Sequence, residues 1–324
     1  MNVKRVGVLT SGGDAPGMNA GVRAIVRSAA PRRIEVIGIR RGYAGLLDRD
    51  MITLGPMRVA HILERGGTFL DSSRCDEMKT PEGIKKAIDI LQEEEVEGLI
   101  TIGGDGTFRG AAALEETGGV KVVGVPATID NDVYGTDYTI GFDTAINTAL
   151  QSIDKIRDTA ESLGMLFFVE VMGRTRGFIA LAVGIAGGAS EILIPETETN
   201  IEILGQRLRR RLRKGERSAL VVVAEGDTPG GAHAIAEAVG KMMKLDYRVV
   251  SLGHVQRGGS PTARDRILAS ELGVAALNAL AEGKHGCMVG QIGSQIVCTP
   301  LEETWTETKE LDTHLLQMLH VLAI

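Results

Sequence analysis

At 324 residues, with 44% hydrophobic and 24% charged residues, the chain has the length of two ordinary domains and the composition of a globular protein. Its formal charge of −6 argues against broad binding to nucleic acid or anionic membranes. The longest weakly polar run, "GFIALAVGIAGGA", is about 13 residues, short of the roughly 20 that span a bilayer.

"RVGVLT" near the start reads as a buried strand, with no secretory signal before it. The helical "APGMNAGVRAIVRSAA" follows, then the strand "IEVIGIR". "TPEGIKKAIDILQEEEV" has a Thr-Pro start and helical periodicity, and leads into the strand "EGLITIGG". "TFRGAAALEETGG" is the next helix, with a Gly-rich stop, and "VKVVGVP" the next strand. The second half repeats the alternation: "MLFFVEVMGR", helical "TRGFIALAVGIAG", "EILIPE", the basic helix "IEILGQRLRRRLRKG", then "SALVVVAEGD". Helix "GAHAIAEAVGKMMKL", strand "DYRVVSLG" and loop "HVQRGGSP" complete it. Continuous apolar strands separated by helices predict parallel sheets covered on both faces, with ligands bound outside the strands' carboxyl ends. The three cysteines, Cys75, Cys287 and Cys298, form no CxxC and fit reduced thiols in a cytoplasmic protein. The six histidines show no metal-ligand spacing.

Three strand-end loops combine small residues with aspartate: "TSGGDAPGMNA", "TIGGDGTF" and "PATIDNDVYGTD". Glycines let backbone approach a ligand closely, and a following helix offers free N–H groups that suit a phosphate. Asp105, between Gly104 and Gly106, is a carboxylate able to hold Mg2+ directly or through water. No GK[ST] follows, so this is not a P-loop. The third loop packs Asp130, Asn131, Asp132 and Asp137 into a few positions; such residues serve a turn or serve chemistry.

The ordered segments "GVLTSGGDAPGMNA", "RGGTFLDSSR", "IGGDGTF", "PATIDNDVYGTDYTIGFDTA", "VEVMGR", "AEGD" and "LGHVQRGGSP" decide between them: over nearly its whole length the chain resembles the bacterial-type 6-phosphofructokinases. The resemblance implies an α/β fold of two Rossmann-like three-layer domains, with mostly parallel sheets facing one active-site cleft. Residues 1–139 plus about 254–304 would form the ATP-binding domain, and 140–253 plus about 305–324 the sugar-phosphate domain. It implies an enzyme that phosphorylates fructose 6-phosphate at the 1-hydroxyl with ATP and Mg2+, the committing step of glycolysis. By the same resemblance Asp130 is the general base, Asp132 sets the local charge, Thr128 contacts the sugar phosphate or the transferring group, and Arg174 stabilises the transition state. The ATP side would comprise Gly13, Arg74, Cys75, Gly104, Asp105, Gly106 and Thr107, with Asp105 as the metal residue. The sugar side would add Ile129, Met172, Gly173, Glu225, His254, Val255, Gln256 and Arg257, and Arg248 from a neighbouring subunit. This gives a homotetramer with shared sites, and no nucleic-acid or membrane partner.

Gly106 and Ala127 stand where pyrophosphate-using relatives carry aspartate and lysine, so both favour ATP. Met165 replaces an arginine that reaches the 6-phosphate across subunits, and Cys75 replaces an aromatic common on the ATP side. Arg23, Arg27, Arg157, Lys214 and Arg217 match a basic effector pocket, while Pro56, His61, Ser190 and Glu216 depart from it; "RLRRRLRKGER" also reads as a solvated helix face. Alternatives are a pyrophosphate-dependent or other sugar-phosphate kinase of the family, or a regulatory paralogue without turnover. NAD kinases and lipid kinases share the GGDG loop and lack the other ordered motifs.

Overall fold

The computed structural model describes residues 3–312, 314, 315 and 318, so the end of the predicted 305–324 segment lies partly outside the described residues. The chain divides into two compact units, one of residues 1–129, 133–144 and 257–309, the other of 130–132, 145–256 and 310–324.

The first unit opens with β1 (Arg5–Thr10), α1 (Met18–Ala29), β2 (Glu35–Ile39), α2 (Gly42–Leu47) and β3 (Met51–Leu54). It continues with α3 (Pro81–Glu93), β4 (Gly98–Gly103), α4 (Asp105–Glu116) and β5 (Lys121–Pro126). α3 starts where the sequence signals it: Thr80 Oγ1 accepts from Gly83 N, and Pro81 occupies the first helical position. The helix α5 (Phe142–Leu163) begins in this unit and runs into the second.

The second unit holds β6 (Leu166–Val171), α6 (Phe178–Ala186), β7 (Glu191–Leu193), α7 (Ile201–Arg213), β8 (Ala219–Ala224), α8 (Gly231–Met243) and β9 (Tyr247–Ser251). The chain returns to the first unit with α9 (Ala263–Glu282), β10 (Cys287–Ile292), β11 (Gln295–Pro300) and the short α10 (Glu303–Thr306).

In the first unit the sheet order is β11-β10-β5-β4-β1-β2-β3. As expected the sheet is mostly parallel, and only the edge strands β3 and β11 pair antiparallel. β11 follows β10 across a two-residue turn, which can only return a strand antiparallel, whereas β3 comes back antiparallel to β2 after the short helix α2. One face packs Leu46, Leu91, Phe108 and Leu114 against Leu9, Ile39 and Leu99. On the other, α1 meets α9 where a Cβ on Gly273 would lie 2.8 Å from the Gly21 carbonyl, so the helices approach backbone to backbone.

The second unit's sheet is fully parallel, in the order β7-β8-β6-β9. Phe168, Val221 and Leu193 pack under Leu204, Leu208, Ile235 and Val239 of α7 and α8. Ile192, one residue earlier on β7, faces the other way against Gly184 of α6, as period-two alternation requires. Among the described residues no helix is long and apolar enough to cross a membrane.

Candidate active site

In the first unit, β1 lies between β4 and β2, so the chain winds one way through β2 and the other through β4 and β5. That reversal is where open α/β sheets bind ligands, beyond the carboxyl ends of the strands. Both Gly-Gly-Asp loops fall there, one after β1 and one after β4. Ser11 N donates to the Ile102 carbonyl at 3.0 Å, and Thr107 Oγ1 donates to the Ser11 carbonyl at 3.1 Å. Gly103 lies beneath this link: a Cβ on it would come within 2.3 Å of Thr107 Oγ1 and 2.5 Å of the Ser11 carbonyl, so no side chain fits.

Asp105 and Gly106 occupy the first two positions of α4, whose leading N–H groups and dipole favour an anion. Around Gly106 a Cβ would meet nothing within 4 Å, which leaves open space at the helix start. Tyr43 holds this turn from inside: its hydroxyl donates to the Thr107 carbonyl at 2.6 Å, and burial pushes its pKa upward. Ser72 Oγ ties the next segment to the Gly12 carbonyl at 2.6 Å, placing Arg74 (exposed) and Cys75 (half-buried) just beyond. Sequence reading missed Ser11, Tyr43 and Ser72, because each acts through a backbone carbonyl far away in the chain.

Gly13 is also in this unit, with Arg257. A Cβ on Gly13 would lie 2.7 Å from Arg257 Nη1, and that nitrogen donates to the Asp14 carbonyl at 3.2 Å. Arg257, expected among the sugar ligands, is thus set against the first Gly-rich loop, at the point where the chain re-enters the first unit.

The second unit gathers Asp130, Asn131 and Asp132 with the loops after β6 and β8. Asp130 is completely buried, and its Oδ2 lies 3.2 Å from Arg174 Nε, whose side chain is 54% exposed. Arg174 N donates to Glu225 Oε1 at 2.7 Å, and Glu225 N to the Val171 carbonyl at 2.9 Å, so the ends of β6 and β8 are joined. Gly173, with φ 141°, makes the turn that brings Arg174 over the strand end. Arg174 itself has φ 53° and Asn131 φ 56°, sparsely populated conformations for side-chain-bearing residues that recur at functional sites. Met172 N donates to Oε1 of the buried Gln256 at 2.9 Å, which ties the loop after β9 to the end of β6. His254 and Val255 in that loop are exposed, as is Glu225; Thr128 and Asp132 are half-buried, and Ile129 is fully buried.

Arg248 does not join this cluster. It pairs in register with Phe167 near the start of β6, four residues before Val171. At roughly 3.3 Å per residue, that is some 13 Å from the strand end carrying Arg174. Met165 is at the same remote end, lining a cleft of about 260 Å³ with Leu163, Leu212, Arg217, Met243 and Leu245.

Of the basic residues matched to an effector pocket, Arg23 and Arg27 belong to the first unit and Arg157, Lys214 and Arg217 to the second. Arg157 donates through Nη2 to the carbonyls of Gly187 and Gly188, closing the C-terminal end of α6. Within the basic helix, Arg207 pairs with Glu191 at 3.2 Å and Arg211 with Glu216 at 3.0 Å, so two of these arginines serve ion pairs.

Comparison with known proteins adds to this geometry. A family model described as Phosphofructokinase matches residues 5–280. The ATP-dependent 6-phosphofructokinase 1 of Thermus thermophilus is 55% identical over 322 residues, covering 99% of this chain and 100% of the relative. Among solved structures, phosphofructokinase from Saccharomyces cerevisiae superposes with a TM-score of 0.89 at 34% identity, over 99% of this chain. The chain spans about half of that yeast chain, 48% of its length. A pyrophosphate-dependent phosphofructokinase from Marinobacter aquaeolei gives a TM-score of 0.85 at 25% identity, over 96% of this chain and 86% of that one. With the Gly-rich loops at the sheet's reversal point and the Asp130–Arg174 pair at a strand end, these matches show that the chain belongs to the phosphofructokinase family.

Proposed function

We propose that this chain is an ATP-dependent 6-phosphofructokinase, transferring the γ-phosphoryl group of ATP to the 1-hydroxyl of fructose 6-phosphate to give fructose 1,6-bisphosphate and ADP. The observation that carries the reading is the Asp130–Arg174 pair, a buried carboxylate 3.2 Å from a guanidinium with an exposed side chain. Phosphoryl transfer needs an acceptor for the hydroxyl proton and a cationic group facing the negatively charged equatorial oxygens, and the pair offers both. In this reading Asp130 takes the proton of the 1-hydroxyl as its oxygen attacks phosphorus, while Arg174 turns toward the transferring group. Asp132 adds local negative charge, and Thr128 donates a hydrogen bond to the substrate. Glu225 orients the sugar through its hydroxyls, with Met172, Gly173, His254, Val255 and Gln256 around it.

The nucleotide is assigned to the first unit. The leading amides of α4, with Gly13, Gly104, Gly106 and Thr107, would cradle its phosphates, flanked by Arg74 and Cys75. Among the described residues no cluster of three acidic, histidine or cysteine side chains could hold a metal by itself. A single carboxylate such as Asp105 can suit Mg2+, which keeps waters and phosphate oxygens among its ligands. Bound there with ATP, Mg2+ would neutralise phosphate charge. A coupled assay tests the reading: fructose 6-phosphate with ATP and Mg2+ should give the fastest turnover among sugar phosphates offered with ATP or pyrophosphate. Chelating the metal should abolish it.

We assign the protein to the cytoplasm, in keeping with its free thiols Cys75, Cys287 and Cys298. Arg248, exposed and remote from Arg174 in its own protomer, supports a homotetramer in which it reaches a neighbour's sugar phosphate. Met165→Arg at the same edge should restore a charge-assisted contact, a type worth roughly 1.5–3 kcal/mol. A drop of about ten- to hundredfold in the KM for fructose 6-phosphate is the expected result. An unchanged KM, or a fully active monomer by size-exclusion chromatography, would refute the shared site.

A further inference from the structure

The stretch "SPTARDRILAS" reads locally as a capping box, Thr262 followed three residues later by Asp265. Half of it forms: Asp265 N donates to Thr262 Oγ1 at 3.3 Å. The other half is diverted. The Asp265 carboxylate, 1% exposed, accepts instead from Gly141 N at 2.9 Å, Thr144 N at 2.8 Å and Thr144 Oγ1 at 2.5 Å. Thr144 Oγ1 takes over the box's missing role by accepting from Thr262 N at 3.0 Å, and Thr262 Oγ1 donates to Asp143 Oδ2 at 2.7 Å. Two helix N-termini, those of α5 and α9, therefore cap each other through two threonines and two aspartates.

The clamped segment is attached to the strand end that leads into Asp130. Ile140 N donates to the Pro126 carbonyl at 3.0 Å, Thr139 Oγ1 to the Thr128 carbonyl at 2.6 Å, and Ala127 bridges to Ile140 in parallel register. It also abuts the first Gly-rich loop: a Cβ on Gly141 would lie 2.6 Å from that of Ala15, and one on Gly17 2.7 Å from Ile140. We propose that Asp265 and Thr144 are positioning residues for phosphoryl transfer, fixing the backbone from Pro126 to Thr128 and thereby the approach of Asp130. This inference rests on the kinase reading above. Neither residue touches substrate; their role is to hold the strand end and the Gly-rich loop in register. Burial raises the Asp265 pKa, which hydrogen bonds from Thr144 and Gly141 oppose. A carboxylate placed so deep with three donors is a built feature of the fold.

Thr144→Val keeps the side-chain shape and removes the hydroxyl that serves both aspartate and amide. We expect kcat per folded molecule to fall about tenfold, a displacement effect of the kind a misplaced backbone produces. KM for both substrates should stay within about threefold, and Thr144→Ser should restore the rate. Hydrogen exchange of residues 139–144 should quicken in the valine variant while the C-terminal half of α9 stays protected. A valine variant with kcat within about twofold of the natural protein, or a serine variant no better than valine, would overturn the proposal. So would a loss of rate matched by an equal loss of folded protein. If the natural protein failed to phosphorylate fructose 6-phosphate, the function would fall while the exchange measurement still judged the clamp.

Discussion

Asp130→Ser is expected to lower kcat by about two to four orders of magnitude, the range for removal of a general base. The serine hydroxyl is shorter by one bond than the carboxylate and a far weaker proton acceptor, so the 1-hydroxyl would have to lose its proton to water. Arg174 would lose its 3.2 Å partner, but with 54% of its side chain exposed it stays solvated, and little stability should be lost. Sugar binding, assigned in the proposed function to Glu225 and the loops after β6 and β9, should change by less than about tenfold. Steady-state kinetics over a range of fructose 6-phosphate separates the two effects. Retention of more than about a tenth of the rate would remove Asp130 from the base's role.

Gly106→Asp should be the most informative change on the nucleotide side. The structure predicts that the fold accepts it: the site has no atom within 4 Å of the new Cβ, and a carboxylate in the first turn of α4 complements the helix dipole. Any loss of activity is then electrostatic. A fixed negative charge about 4–8 Å from a phosphate oxygen, at an effective dielectric near 20, costs about 2–4 kcal/mol. That corresponds to about a thirty- to several-hundredfold loss of ATP-driven kcat/KM. Circular dichroism should show an unaltered melting transition. An aspartate variant that used ATP as well as the natural protein would place the phosphates elsewhere, and faster turnover of the natural protein with pyrophosphate would overturn the choice of donor.

Much of this molecule is legible in its sequence because the signals are local. Uninterrupted runs such as "GLITIG" and "ALVVVA" can be buried on both faces only within a parallel sheet, and they became β4 and β8, wholly buried. Gly103 to Thr107 and Asp130 to Asp132 follow β4 and β5, so the alternation by itself locates these loops beyond strand ends. The antiparallel edges were not legible: "MITL" is only four residues and partly exposed, and "QIVCTP" is mostly exposed, with no continuous apolar run to mark either as a sheet strand. Only the fold shows that the Arg257 guanidinium rests beside Gly13 and donates to the carbonyl of Asp14, 243 positions away. Thr262 and Asp265 show the division most sharply. Their spacing determined that a helix begins there, because capping needs only three residues of chain. Which amides the Asp265 carboxylate would satisfy depended on Gly141 and Thr144, more than 120 positions away, being carried to it by the packing of the first unit. Burial made the choice: with water excluded, the carboxylate must take the nearest donors that tertiary structure supplies, wherever they lie in the chain.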